Sequence, residues 1–415
     1  MPANNSRFAI ILLTSLFFLW GFALNLNPIL IPHLKKACQL SDVQSAFIDS
    51  ASYIAYFLMA IPAGLFMKKH GYKGGIIVGL SLFAAGAFLF YPAAATRSYM
   101  FFLGALFIIA CGLAFLETAA NPYITVLGDP ATATQRINFA QSFNGLAATL
   151  APLLGGLFIL SGHSYTKEQE AAMSPEQLNS YLQGEANSVQ IPFLIIGLVV
   201  LLVAIFIYKT KLPDIIETED VVVEQSLFKE KNLMTGVLAQ FFYVGAQVCV
   251  SSFFIRFSKR VADIEEKQAA MLLSGALLGF MAGRFIGTFL MRYIAPAKLL
   301  AAFSIINMGL LAIAVTTHGR IPVYALVGVE VFMSIMFPTI FSLSIRGLGA
   351  KTKEGSSLVI MAIAGGAVFP VIMGRLSDAT NIQTSYIVPA VCFIVVFYFA
   401  LKNLNVKDLK LSVAH

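Results

Sequence analysis

Apolar runs long enough to cross a bilayer recur twelve times in this chain, near residues 8–33, 43–67, 74–93, 99–127, 137–161, 190–208, 233–257, 268–291, 299–317, 321–345, 355–376 and 384–402. A helix needs about 20 apolar residues to span roughly 30 Å of hydrocarbon. The fold class that follows is an all-α membrane protein of twelve transmembrane helices. Composition serves as a check: 58% of the 415 residues are hydrophobic, 12% are charged and mean hydropathy is +0.80, which excludes a soluble domain. The first run is read as a retained helix, because it is too long for a secretory signal, carries Pro28 and Pro32, and lacks a small-residue cleavage pattern.

Charge sets the expected orientation. With both termini in the cytoplasm, 17 of the 28 Lys and Arg fall at cytoplasmic helix ends, 10 at outer ends and one, Arg284, within a helix. That distribution satisfies the positive-inside rule. The net charge of +7 therefore reflects topology, and the short basic clusters at helix ends have no interleaved aromatics to form a nucleic-acid face. Cys38, Cys111, Cys249 and Cys392 are scattered and read as buried thiols without a disulfide framework. The five histidines never stand at ligand spacing from a cysteine or one another, so no metal is expected. No nucleophile and base present themselves as a pair, and neither an enzyme nor a cofactor site is expected.

Residues 209–231 form the longest charged stretch and read as a cytoplasmic linker between two six-helix halves, 1–208 and 232–415. The halves look like a worn repeat: Gly64 recurs as Gly287, Pro122 as Pro338 and Pro152 as Pro370, at offsets of 223, 216 and 218. Parallel six-helix repeats imply a substrate held at midplane between them.

Polar residues inside the apolar runs mark the candidate sites. Glu117 lies in CGLAFLETAANPYITVLG, and a charge at bilayer depth costs on the order of 3 kcal/mol, so it must pair, face a cavity or sit neutral. Asn121 follows one turn later, and Pro122 loosens the helix there. Asn25 and Asn27 interrupt the first run, and Asp49 stands near the outer end of the second. The fifth run aligns Asn138, Gln141 and Asn144 at i, i+3 and i+6. Such a stripe needs polar partners, either hydroxyls of neighbouring helices or a sugar with donors and acceptors all round. Gln240, Tyr243, Gln247 and Ser251 recur at helical spacing in the seventh run, where Tyr243 could stack on a pyranose or serve the core. The eighth places Gly275, Gly279, Gly283 and Gly287 four apart as a close-packing ridge. Beside it, Arg284 needs a carboxylate or a carbonyl, whether as gate, ion pair or substrate contact. Glu330, the other deep carboxylate, precedes Phe337 and Pro338 as Glu117 precedes Pro122.

The strings LETAANPYITVLG (116–128), RINFAQSFN (136–144), FYVGAQ (242–247), GRFIGTFL (283–290) and FPTIFSL (337–343) resemble the bacterial L-fucose permease family, the fucose–galactose–glucose:proton symporters of the major facilitator superfamily. The resemblance implies an inner-membrane monosaccharide importer, working as a monomer by alternating access and driven by a proton or, alternatively, by sodium. An uncoupled hexose or N-acetylglucosamine transporter and a non-transporting sugar sensor are the other readings. Carried over, Glu117 matches a glutamate of sugar recognition and proton coupling, Gln141 and Asn144 match sugar-contacting amides, and Asn25 matches a cavity asparagine. The chain departs from the pattern at Pro28, where an aspartate is expected, at Ser251 in place of tryptophan, and at Phe337 in place of tyrosine. Asp49 and Glu330 have no counterpart in that pattern, and coupling is expected to involve Glu117 with one of them.

Overall fold

The computed structural model describes residues 3–40, 42–158, 169–170, 172–212 and 227–404. Most of the expected linker lies outside these residues, and so do the side chains of Asn27, Pro28, Pro32, Asp49 and Pro152. The described chain is helical, with no strand among the described residues. In order it runs α1 (Ala3–Leu24), α2 (Asn27–Ala37), α3 (Asp42–Thr96), α4 (Tyr99–Val126), α5 (Ala133–Phe158), α6 (Pro175–Asn187) and α7 (Gln190–Lys209). Then follow α8 (Lys231–Ala262), α9 (Glu266–Leu290), α10 (Pro296–Thr316), α11 (Ile321–Met333), α12 (Met336–Ser344), α13 (Thr352–Met361), α14 (Gly365–Ala379), α15 (Ile382–Ser385) and α16 (Ile387–Asn403).

Nine helical segments among the described residues are long and apolar enough to cross a membrane. One of them, Ala51–Thr96, carries the second and third expected spans and bends at Gly71, whose φ of 70° and ψ of 174° suit only a residue without Cβ. The first expected span is divided into α1 and α2. The reason is local: the Asn25 amide donates to the Gly21 carbonyl at 2.7 Å, and Pro28 enters at the start of α2, where a missing N–H costs least. The tenth span is likewise divided, α11 ending at Met333 and α12 starting at Met336.

The chain forms two compact units, one of residues 1–121 and 143–216, the other of 122–142 and 217–415. In the first, α3 packs against α7, and its Gly79 meets Gly112 of α4 so closely that a Cβ on Gly112 would lie 2.5 Å from the Gly79 carbonyl. Glycines at such crossings let backbones approach where lipid supplies no hydrophobic drive. In the second unit α8 is central, touching α9, α11, α12, α14 and α16. The ridge on α9 packs as expected through Gly279, Gly283 and Gly287 against Val331, Ser334 and Ile335, whereas Gly275 faces open space.

Candidate substrate and coupling sites

In the first unit, α4 carries Glu117, 7% exposed, and Asn121, fully buried, on adjoining turns. Tyr56 of α3 lies beside the Glu117 carboxylate, and Tyr53 lies within electrostatic reach of Tyr56. A buried carboxylate with a phenol close by on a neighbouring helix is a group that a proton can neutralise and that can accept from a sugar hydroxyl. Pro122 removes the donor that would pair with the Thr118 carbonyl, while the Thr118 hydroxyl turns back to Ala114 at 2.7 Å. Asn25 and Asn144, both half-buried, gather around one glycine: Asn25 donates to the Gly21 carbonyl, and a Cβ on Gly21 would lie 2.7 Å from the Asn144 amide nitrogen. Sequence spacing alone does not bring these two asparagines together. An apolar cavity in this unit, lined by Leu26, Phe83, Leu113, Phe193 and Ile196 among others, holds none of these amides and offers little to a polyol.

The amide stripe of α5 is divided by use. Asn138 is fully buried in the second unit, donating to the Thr134 carbonyl at 2.8 Å and to the Thr339 hydroxyl at 3.2 Å, while Thr134 shares a 2.8 Å hydrogen bond with Ser342. This amide meets helix-borne hydroxyls. Gln141 is 3% exposed, and its carbonyl accepts from Arg284 Nη1 at 2.6 Å.

Arg284 has a second bond whose cause can be traced. Pro338 has no N–H for the Ser334 carbonyl four residues earlier, although Thr339 resumes the helical pattern by donating to Ile335. Arg284 Nε donates to that carbonyl at 2.9 Å, and its guanidinium lies over the Phe280 ring at 4.7 Å. Tyr243 does the same for the Met333 carbonyl at 2.9 Å. Tyr243 is fully buried here, with its hydroxyl engaged by that carbonyl. Two donors from α8 and α9 thus hold the break between α11 and α12.

Glu330 is 1% exposed, and Ser251 donates to its Oε1 at 2.7 Å. Gln240 is fully buried with neither amide atom partnered among the described residues, while Gln247 is half-buried and Phe337 is 8% exposed. Asp49 belongs to α3, with its side chain outside the described residues. Asn307, an amide inside α10 in the ninth apolar run, is also fully buried and unpartnered among the described residues. Its signal was the same as that of the other amides, a polar residue in an apolar run.

A family model described as Major Facilitator Superfamily matches residues 11–363. The chain belongs to the major facilitator superfamily. It is a multi-pass membrane transporter and not an enzyme. It is 45% identical to an L-fucose-proton symporter of Escherichia coli K12 over 412 residues, covering 96% of this chain and 94% of that protein. It is 41% identical over 403 residues to a glucose/galactose transporter of Brucella abortus, with the same two coverages. Among solved structures it is similar to the transporter FucP in the outward conformation, at a TM-score of 0.89 and 44% identity, covering 95% of this chain and 98% of that one.

Proposed function

We propose that this transporter imports a monosaccharide, L-fucose or a related hexose, across the bacterial inner membrane in symport with a proton, by alternating access. The observation that carries the reading is Glu117, a buried carboxylate beside Tyr56 in a chain similar over nearly its whole length to named sugar transporters. Asn25, Asn121, Gln141, Asn144, Gln240 and Gln247 supply the hydrogen-bonding inventory that a polyol requires. A ligand shifts a conformational equilibrium only by its differential affinity for the two states, so sugar and proton must both be bound more tightly in one of them. Neutralising Glu117 removes the cost of enclosing a charge and favours the occluded state. Both termini are cytoplasmic in this reading, the halves 1–208 and 232–415 are joined by a cytoplasmic linker at 209–231, and the chain works as a monomer.

The test is uptake of labelled L-fucose, D-glucose, D-galactose, D-mannose and N-acetylglucosamine into proteoliposomes, under a proton gradient, a sodium gradient or neither. The expected result is accumulation under the proton gradient, abolished by Glu117→Gln. Asn144→Ala should weaken sugar binding about five- to tenfold, the equivalent of one hydrogen bond of about 1–1.4 kcal/mol. Accumulation driven by sodium alone would make the carboxylates a sodium site, and the absence of any concentration would leave a uniporter or a sensor.

A further inference from the structure

We propose that Glu330, oriented by Ser251, is a second proton-binding site, built entirely within the second unit and separate from Glu117. Three observations support it. Glu330 is 1% exposed, in a helix that crosses the membrane. Its Oε1 accepts from the Ser251 hydroxyl at 2.7 Å, and its Oε2 has no hydrogen-bond partner among the described residues. It forms no ion pair among them. Arg284 acts on Tyr243, and Arg256 acts on Tyr386, the two tyrosines that also feel Glu330. Ser251 on α8 bonds the carboxyl, and the titratable and charged groups in its electrostatic surroundings are Tyr243 and Tyr386, with Arg284 acting on the first and Arg256 and Cys249 on the second.

An ionised carboxylate this deeply enclosed, with one hydrogen-bonding hydroxyl and no ion pair among the described residues, is poorly solvated. A proton on Oε2 removes the charge and leaves the Ser251 bond to Oε1 in place. One oxygen accepts from Ser251, and the other is free to carry the hydrogen.

The ligand count selects a proton over a metal cation. Hard cations such as calcium and magnesium take about six or more oxygen ligands. The carbonyls of Met333, Ser334 and Val250 already accept from Tyr243, Arg284 and, at 3.4 Å, Tyr386. The carboxyl and Ser251 make one hydrogen-bonded pair, and no three His, Cys, Asp or Glu gather at metal-binding spacing among the described residues. Ser251 is a positioning residue, since it acts on the proton only through Glu330.

The position gives the site a mechanical consequence. Glu330 lies one turn before the break between α11 and α12, which Tyr243 and Arg284 hold together. Gain or loss of a proton there changes the charge next to a discontinuity in a helix that is otherwise tied. Its part in sugar coupling rests on the proton-driven reading above, whereas its occupancy by a proton does not.

Infrared difference spectroscopy of the purified full-length protein, titrated with acid and base, tests occupancy directly. A protonated-carboxyl C=O band should be present in the parent and in Glu117→Gln, and lost in Glu330→Gln. Ser251→Ala should keep that band but move its frequency and its titration midpoint. Glu330→Asp guards against a Glu330→Gln variant that fails to fold, and should retain a shifted band. Persistence of every carboxyl band in Glu330→Gln overturns the proposal. So does binding of labelled sodium to the parent that is lost in Glu330→Gln, because the site would then hold a metal cation. A preparation that concentrates no sugar but shows the Glu330 band refutes proton-driven import and leaves the proton site standing.

Discussion

Removing Arg284 and Pro338 singly and together tests whether the cation exists to serve the carbonyl that the proline orphans. In Arg284→Met the Ser334 carbonyl loses the Nε donor held at 2.9 Å, and no N–H at position 338 can replace it. Hydrogen bonds to charged donors contribute about 1.5–3 kcal/mol in soluble proteins, and polar contacts between membrane helices average about 0.6 with a maximum near 1.7. About 1–1.5 kcal/mol is therefore expected for this bond. The Gln141 carbonyl adds little, since α5 continues beyond it and supplies its own helical donor. In Pro338→Ala the new N–H can take the Ser334 carbonyl, so the same Arg284→Met change should cost about 1 kcal/mol less. Loss of a buried charge and of its place over Phe280 affects both backgrounds alike and cancels in the cycle. The measurement is the unfolding midpoint in one detergent at one scan rate, because membrane proteins of this size unfold irreversibly. A thiol-reactive dye suits it, since Cys111, Cys249 and Cys392 are buried and become reactive on unfolding. The cycle should show a coupling of about 1–2 °C. Equal losses in both backgrounds, to within about 0.3–0.5 kcal/mol, would refute the assignment.

Three further outcomes follow from the packing and from one buried charge cluster. Gly112→Ala should lower the midpoint by the equivalent of about 1–3 kcal/mol, as its Cβ would meet the Gly79 carbonyl at 2.5 Å and the Phe83 nitrogen at 2.6 Å, neither of which can step aside. Gly104→Ala, with nothing within 4 Å of the added carbon, should be neutral or slightly stabilising in the same assay. Glu185→Leu should cost about 1–3 kcal/mol of stability: its buried carboxylate accepts from Lys36 at 3.0 Å and lies 3.4 Å from His33 Nδ1, and His33 Nε2 is within 2.9 Å of the Glu185 carbonyl. An unchanged midpoint in that variant would show that the cluster fastening α2 to α6 is dispensable.

What was legible in the sequence was whatever repeats at short range. Runs of apolar residues determined an all-helical membrane protein, because a segment in hydrocarbon has to bond its own backbone. Glycines four apart on α9 marked a packing ridge, and carboxylates within apolar runs marked Glu117 and Glu330 as costly groups in need of a use. Partners were not legible, since they come from residues far apart in the chain. Tyr56 beside Glu117, Ser251 on Glu330 and His33 against Glu185, 152 residues later, are each products of helix packing. The tertiary structure alone decided that Asn138 serves the core while Asn144 shares Gly21 with Asn25, although both amides stand on one stripe of α5. Helical periodicity determines the face a side chain occupies, and only the neighbour packed on that face determines whether the group is satisfied, buried without a partner, or left for a ligand.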